Sequence, residues 1–243
     1  MVAVVPAAGQ GSRMRGVTGG AEKELLPVGG RSVLGHVMRE ALACGPREVL
    51  VVSSKSKPGV EELVRDLGDP RARVVFQDSP RGLADAVARC DARRETVLAL
   101  MGDAFYGGDS PSARLVETLE ARKAWACVAV REVPREAVER YGVVRFALED
   151  GRVTEVVEKP PAANAPSRWA VAGRFGFSPE AMRLLHAMSA DWRDGREMTL
   201  SDLLREGLRT RQAVYAVPIL ESEVLFDCGS PEGYAEALEA LGP

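Results

Sequence analysis

The chain reads as an α/β protein with a doubly wound, mostly parallel sheet and an antiparallel extension, and three observations predict this. Apolar, β-branched runs at 2–6, 49–52, 73–76 and 96–100 have the composition of buried strands. Longer amphipathic stretches at 33–44, 58–67 and 83–94 alternate with them, which is the pattern of βαβ units and a Rossmann-like sheet over the first 130 residues. From Tyr141 the pattern changes: 142–148, an Asp150-Gly151 turn and 153–158 read as a hairpin.

Each element has a local reason. Ser32 is placed to cap a helix whose apolar face carries Val33, Leu34, Val37, Met38 and Leu42, and Gly45 marks its end. Pro58 suits the first helical position of the next helix. After the hairpin, 169–177 reads as a strand, 179–188 and 200–208 as helices, and 214–217 and 224–226 as late strands. Ser230-Pro231 opens a last helix with a cap and a first-turn proline, and 160–166 reads as an exposed loop. No repeat or long linker divides the chain, so residues 1–243 are expected to form one domain, with 1–130 as one functional part and 131–243 as the other.

Composition narrows the function classes. A formal net charge of −3 gives no overall basis for a nucleic-acid partner, and no run approaches the roughly 18 apolar residues that span a bilayer. The start of the chain lacks a basic, then apolar, then cleavable pattern, and a cytoplasmic location is expected. Cys44, Cys90, Cys127 and Cys228 are far apart with no CxxC pair, so buried reduced thiols are expected, at Cys44, Cys90 and Cys127 most clearly, rather than a zinc site. Only five of the 32 cationic residues are lysine, among them Lys23, Lys57 and Lys159, and in an arginine-rich chain a retained lysine hints that a compact point charge is wanted.

In such sheets ligands gather outside the carboxyl ends of the strands. Three loops qualify: 9–13 after the first strand, 77–82 after the third, and Gly102-Asp103 after the fourth. The first run feeds Ala7-Ala8-Gly9-Gln10-Gly11-Ser12-Arg13. Such a loop presents bare backbone N–H groups to an anion; Gly9 and Gly11 clear space for a phosphate, Arg13 offers a planar fork of donors and Lys23 a second cation. Two better-known phosphate loops do not fit: GxGxxG would need glycine where Met14 stands, and a P-loop forced onto 11–16 puts Val17 in the lysine's place. By themselves the two glycines also suit a plain strand-to-helix turn.

Asp103 follows the apolar Leu98-Ala99-Leu100, and Asp227 follows Val224-Leu225-Phe226 in the same way. A carboxylate beside an apolar strand end is costly unless it is solvated or meets a cation, and two of them converging suit Mg²⁺ with substrate phosphates. Glu158-Lys159-Pro160 ends a strand with an anion, a cation and a stop; it serves as an ordinary surface strand end or as a sugar-phosphate contact.

These segments together resemble the sugar-1-phosphate nucleotidyltransferases, in particular those that uridylylate or thymidylylate glucose 1-phosphate. Residues 7–13 look like the AAGxGTR signature with Ser12 for threonine, Lys23-Glu24-Leu25-Leu26-Pro27-Val28 like KE[LM]LPV, and Gln77 to Ala84 like QxxPxGLA. Gly102-Asp103, Tyr141-Gly142-Val143-Val144, Glu158-Lys159-Pro160, Val171 to Gly173 and Asp227-Cys228-Gly229-Ser230 follow in family order over nearly the whole chain. The resemblance implies a nucleoside triphosphate held by Ala8, Gly9, Gly11, Ser12 and Arg13, a reacting phosphate met by Lys23, and Mg²⁺ held by Asp103 and Asp227. It further implies base contacts at Gln77 and Gly82, a sugar site at Gly142, Glu158 and Val171, and a sugar phosphate on Lys159. UTP or dTTP and a sugar 1-phosphate, glucose 1-phosphate foremost, are the substrates this implies, reacting in line without a covalent enzyme intermediate. A different sugar-like phosphate, or a nucleotide-sugar sensor without catalysis, stays open, as does a homo-oligomer.

Three departures stand out. Residues 17–22 are glycine-rich and place Glu22 before Lys23, where relatives often have proline; Ala104 stands where relatives commonly have asparagine or a second aspartate; and the chain is shorter than many relatives.

Overall fold

The four apolar runs become neighbouring parallel strands, and their alternating residues divide the core between two faces. The computed structural model describes residues 1–193 and 195–243. In the first part the elements are β1 (Val2–Pro6), α1 (Arg15–Thr18), β2 (Pro27–Val28), β3 (Arg31–Ser32), α2 (Val33–Ala43), β4 (Glu48–Ser53) and α3 (Pro58–Asp66). Next come β5 (Ala72–Phe76), α4 (Leu83–Ala88), β6 (Val97–Leu100), β7 (Ala104–Tyr106), α5 (Ser112–Arg122) and β8 (Ala126–Glu132). The remainder holds β9 (Gly142–Phe146), β10 (Val153–Glu158), β11 (Trp169–Phe177), α6 (Pro179–Asp191), α7 (Leu200–Arg209), β12 (Val214–Pro218), β13 (Leu225–Asp227) and α8 (Pro231–Leu241).

Among the described residues nine strands form one sheet, ordered β10-β9-β11-β6-β1-β4-β5, with β8 also on β11 and β12 on β8. β1, β4, β5 and β6 are mutually parallel; β8 and β9, each antiparallel to the reversed β11, share their direction, as does β12. Only β10 and β11 run the other way, so the sheet is mostly parallel with an antiparallel part, in agreement with the sequence. Along β1, Val2 and Val4 face one apolar cluster with α4, α6 and α7, while Ala3 and Val5 face the other with α2, α3, α5 and α8. Helices on both faces explain why these strands are apolar throughout rather than alternating.

Several expectations are corrected. The helix expected to run to residue 94 ends at Ala88, where the amides of Arg89 and Cys90 turn to carbonyls three residues back and the chain tightens toward β6. The propensity of 83–94 is helical, but the return to a buried strand cuts it short. β2, β3, β7, α1, α5 and β8 were not anticipated; three of these strands have only two or three residues, too few to show a period. Asp227 is the last residue of β13, paired with Ala104, rather than a residue beyond the strand. Within 160–166, Pro160 and Ala165 are buried. Cys44 is half-buried, while burial pushes the thiols of Cys90, Cys127 and Cys228 up to about 12. No helix among the described residues is long and apolar enough to cross a membrane.

The feature that opens a site is a break in one lane of the sheet. β6 pairs with β11 through Arg174 to Phe177, and β9 takes up the same side of β11 at Ala170. Between them the register of β11 shifts, and Gly173 adopts φ 71°, its carbonyl accepting from the Met101 amide at 3.0 Å. The carboxyl end of β6 and the amino end of β9 therefore face each other across a gap.

Candidate active site

One wall of this gap is the loop after β1. Gly11 at φ 61° starts a single 3-10 turn, Ser12–Met14, in which Met14 plugs the core while Ser12 and Arg13 stay exposed. A side chain at Gly11 would crowd the stem of Lys23, 3.3 Å away. Lys23 donates a short hydrogen bond to the Asp103 carboxylate and lies 3.9 Å from Glu24. Behind it, Lys57 donates to Glu24 and to the Ala7 carbonyl, each at 2.7 Å. The result is a file of alternating charge, Lys57, Glu24, Lys23, Asp103, running under the glycine loop. Burial disfavours charge on Lys23, yet Asp103 and Glu24 outweigh it and hold the ammonium above its ordinary range.

Glu22 explains one departure. Its carboxylate accepts the backbone N–H groups of Gly59 and Val60, both at 2.9 Å, and so caps the first turn of α3 from another loop. That contact pins the residue before Lys23. Neither Glu22 nor Lys57 was assigned a role from sequence; the scarcity of lysine was the only signal for Lys57.

Asp103 and Asp227 come together across the β7–β13 ladder. A Cβ on Gly229 would stand 2.9 Å from Asp103 Oδ2 and 3.1 Å from Asp227 Oδ1, so both carboxylates crowd one point above this glycine. Burial works against Asp103, but Lys23, its own backbone N–H and Arg13 hold its carboxyl below the usual range. Asp227 is pushed up, first by burial and then by the charge of Asp103, with the Gly229 N–H, Arg131 and Arg13 opposing. Two hard carboxylates held this close suit a hard cation. Among the described residues no cluster of three or more metal-ligating side chains occurs, so further oxygens would have to come from substrate and water.

On the glycine-loop side a cavity of about 310 Å³ is lined by Gly9, Gly11, Ser12, Arg13, Gln77 and Gly82 among others, and Ala8 also borders it. The Gln77 amide nitrogen donates to Asp85 at 2.8 Å and to the Gly82 carbonyl at 3.2 Å. Two acceptor partners fix which end of the amide is nitrogen. Its carbonyl oxygen, without a partner among the described residues, remains the acceptor. Gly82 is at φ 105°, and a Cβ there would lie 2.4 Å from the Met198 carbonyl, so glycine alone fits.

Across Asp103 lies a second cavity, of about 260 Å³. Gly142, Glu158 and Val171 converge here: a Cβ on Gly142 would be 3.1 Å from Glu158 Oε2 and 3.4 Å from Val171. Ser201 donates to the same Glu158 oxygen at 2.6 Å. Lys159, held at φ 45° with its N–H on the Tyr141 carbonyl at 3.0 Å, lines the cavity from an exposed position. Ala104 is on the wall, buried, beneath Gly173. The two cavities share Arg13, Leu83, Met101, Asp103 and Glu197, so ligands in them would meet at Asp103.

Every site residue named from sequence thus borders one of the two cavities or the carboxylate pair between them. Sequence reading missed Arg131 and the 197–201 segment, which also line the second cavity. The latter carries a capping box at Thr199 and Asp202, a signal that was available.

His36 and His186 play no part in this wall. The His36 ring lies 2.9 Å from the Val28 carbonyl and stacks on Phe105 at 4.4 Å, a core role.

Comparison with known proteins identifies the family. The chain is 29% identical over 242 residues to a UTP–glucose-1-phosphate uridylyltransferase of Bacillus subtilis, covering 88% of this chain and 82% of that one. It is 31% identical over 247 residues to the enzyme of the same name from Streptococcus pneumoniae, covering 88% and 81%. A crystal structure of UDP-glucose pyrophosphorylase complexed with UDP-glucose superposes with a TM-score of 0.86 at 27% identity, covering 98% of this chain and 97% of that one. The UTP-bound enzyme from Acinetobacter baumannii gives 0.81 at 27% identity, over 99% and 93%. A family model described as nucleotidyl transferase matches residues 2–242, nearly the whole chain, and with the paired cavities meeting at Asp103 it establishes that the chain belongs to the nucleotidyl transferase family.

Proposed function

We propose that the chain transfers a uridylyl or thymidylyl group from UTP or dTTP to a sugar 1-phosphate, glucose 1-phosphate foremost, releasing pyrophosphate. The observation that carries this reading is the shared wall at Asp103, which lets a nucleotide and an acceptor approach from opposite sides. The relatives named above, with their UTP and glucose 1-phosphate, favour these substrates over others of the same chemistry.

The roles follow from chemistry and place. The backbone of Ala8, Gly9 and Gly11, with Ser12 and Arg13, would receive the triphosphate and its departing pyrophosphate. Gln77 would accept from the base N3–H through its free carbonyl oxygen while backbone at Gly82 meets a base carbonyl, a pattern shared by uracil and thymine. Glu158, steadied by Ser201, would accept from sugar hydroxyls in the pocket of Gly142 and Val171. Lys159 would meet the acceptor phosphate. An oxygen of that phosphate attacks the α-phosphorus in line; the new P–O bond forms as the bond to the β-phosphate oxygen breaks. Lys23, kept protonated by Asp103 and Glu24, places positive charge beside the reacting phosphate. Asp103 and Asp227 fit Mg²⁺, which when bound would neutralise phosphate charge between the two substrates. Such a reaction depends on positioning and electrostatics rather than on an acid or base, and the wall has no histidine.

The test is pyrophosphate release with UTP, dTTP, ATP and GTP against a panel of sugar 1-phosphates, with Mg²⁺. Turnover with a pyrimidine triphosphate and glucose 1-phosphate is expected. The absence of the asparagine of relatives at Ala104 should leave selectivity loose, within about tenfold, at one sugar hydroxyl. A purine triphosphate outcompeting both UTP and dTTP in kcat/KM would overturn the base assignment, and no release with any pair would overturn the reading itself.

A further inference from the structure

Arg131 is an arginine near the end of an interior strand, β8, flanked by β11 and β12. Its neighbours on β8 from Ala126 to Val130 are all buried and apolar, and Ala170 sits opposite it. Placing a guanidinium here is unfavourable unless something receives it. The chain's other inward-reaching arginines are received: Arg174 by Glu40, Arg114 by Glu223, and Arg81 and Arg89 by Asp85. Arg131 has no carboxylate within 4.0 Å among the described residues. Its guanidinium lies over the Tyr141 ring at 5.4 Å and one terminal nitrogen donates to the Tyr141 hydroxyl at 3.2 Å. Its Nε–H is buried with no acceptor. A buried donor left unpaired costs about as much as a hydrogen bond is worth.

The position of Arg131 says which part of an acceptor its guanidinium would meet. It lines the cavity of Glu158 and Lys159. Tyr141, on which it rests, accepts the backbone N–H of Lys159 at its carbonyl. Asp227 lines the same cavity, and its carboxyl feels the charge of Arg131. Arg131, Lys159 and Asp227 therefore line one cavity together. Gly142, Glu158, Val171 and Ser201 gather around one Glu158 oxygen in the same cavity, where an anion would be repelled, so the anionic group of an acceptor falls to the cations. Arg140, also on this wall, is already engaged by Glu232 at 3.6 Å.

We propose that Arg131 binds the phosphate of the acceptor sugar 1-phosphate, as a ligand additional to Lys159, and makes the site demand a doubly charged phosphate in its acceptor. This rests on the function proposed above. The planar fork supplies directional donors where Lys159 supplies a point charge, so the attacking oxygen is oriented as well as attracted.

The experiment is steady-state kinetics of wild type, Arg131→Lys and Arg131→Gln, varying acceptor and nucleoside triphosphate separately, with thermal melting of each. Arg131→Gln is expected to raise the KM for the sugar 1-phosphate by about 10- to 100-fold, the worth of one charge-assisted hydrogen bond, while the KM for the triphosphate moves less than about threefold. Arg131→Lys should fall between. In direct binding, inorganic phosphate should compete with the acceptor in wild type and compete more weakly in Arg131→Gln. Unchanged acceptor KM in a folded Arg131→Gln protein would overturn the proposal, and so would an equal rise in both KM values, which a merely structural prop under Tyr141 would give. If Arg131→Gln does not fold, the Arg131→Lys split decides: no acceptor-selective change there overturns it. Wild type inactive with every acceptor would instead count against the proposed function itself, which separates the two failures.

Discussion

Substituting Gly229 by alanine should separate activity from stability more cleanly than any substitution of a charged residue. The backbone of Gly229 lies outside the left-handed region, so alanine can adopt it without strain. The added carbon, however, would stand 2.9 Å from Asp103 Oδ2 and 3.1 Å from Asp227 Oδ1. Carbon and oxygen ordinarily meet at about 3.3–3.6 Å, so Asp103 must retreat by roughly 0.4–0.7 Å and Asp227 by roughly 0.2–0.5 Å. Side-chain ends can do this at small cost, and the unfolding free energy should stay within about 1 kcal/mol of wild type. Chemistry is less tolerant: since a misplacement of about 1 Å can cost around 10²-fold, a fall of about 10- to 100-fold in kcat/KM is expected. The Mg²⁺ activation curve should also move to higher concentration, because the two oxygens no longer converge as before. The assay is pyrophosphate release against Mg²⁺ concentration, beside a urea melt. Wild-type kcat/KM with an unmoved Mg²⁺ midpoint would refute the reasoning that the two aspartates act as a pair over this glycine.

Other outcomes follow from the same contacts. Asp103→Ala and Asp227→Ala should each lower turnover by at least about 10² to 10³-fold with the fold retained, read by the same assay and by circular dichroism. Arg174, wholly buried, donates to Glu40 at 2.6 and 2.8 Å and to the Ala104 and Gly173 carbonyls; Arg174→Met should destabilise by about 3–5 kcal/mol in urea, because Glu40 loses its partner. Asp202 is buried, which alone would raise its carboxyl, but Arg196, the Thr199 N–H and hydroxyl, and Arg205 hold it far below the usual range. A carboxyl lowered by folding contributes stability that is complete above its unfolded value near 4 and is lost as pH falls below that. The loss of stability between pH 5 and pH 3 should therefore be smaller in Asp202→Asn than in wild type, as measured by denaturant melts at each pH.

The sequence by itself determined the four parallel strands, most of the longer helices and the loops that border the site, but not β7, β8 or α5. Helix and strand periods are local, so the runs at 2–6, 49–52, 73–76 and 96–100 announced the parallel strands, and Ser32 and Ser230 accept the third-residue amides as caps should. Asp103 was legible as a site residue because a charge after an apolar strand is anomalous wherever the strand ends up, and the glycines of 9–11 because the loop follows a strand. Tertiary structure alone decided that β11 runs backwards, that its register breaks at Gly173 to open the gap, and that Lys23 lies against Asp103, 80 residues away. It alone made Glu22 a cap for α3, Lys57 a prop for Glu24, and Arg131 a cation in the second cavity. None of these leaves a mark in local composition: each depends on which strands lie side by side, and that is set by the burial of two whole faces of the sheet rather than by any neighbour in sequence.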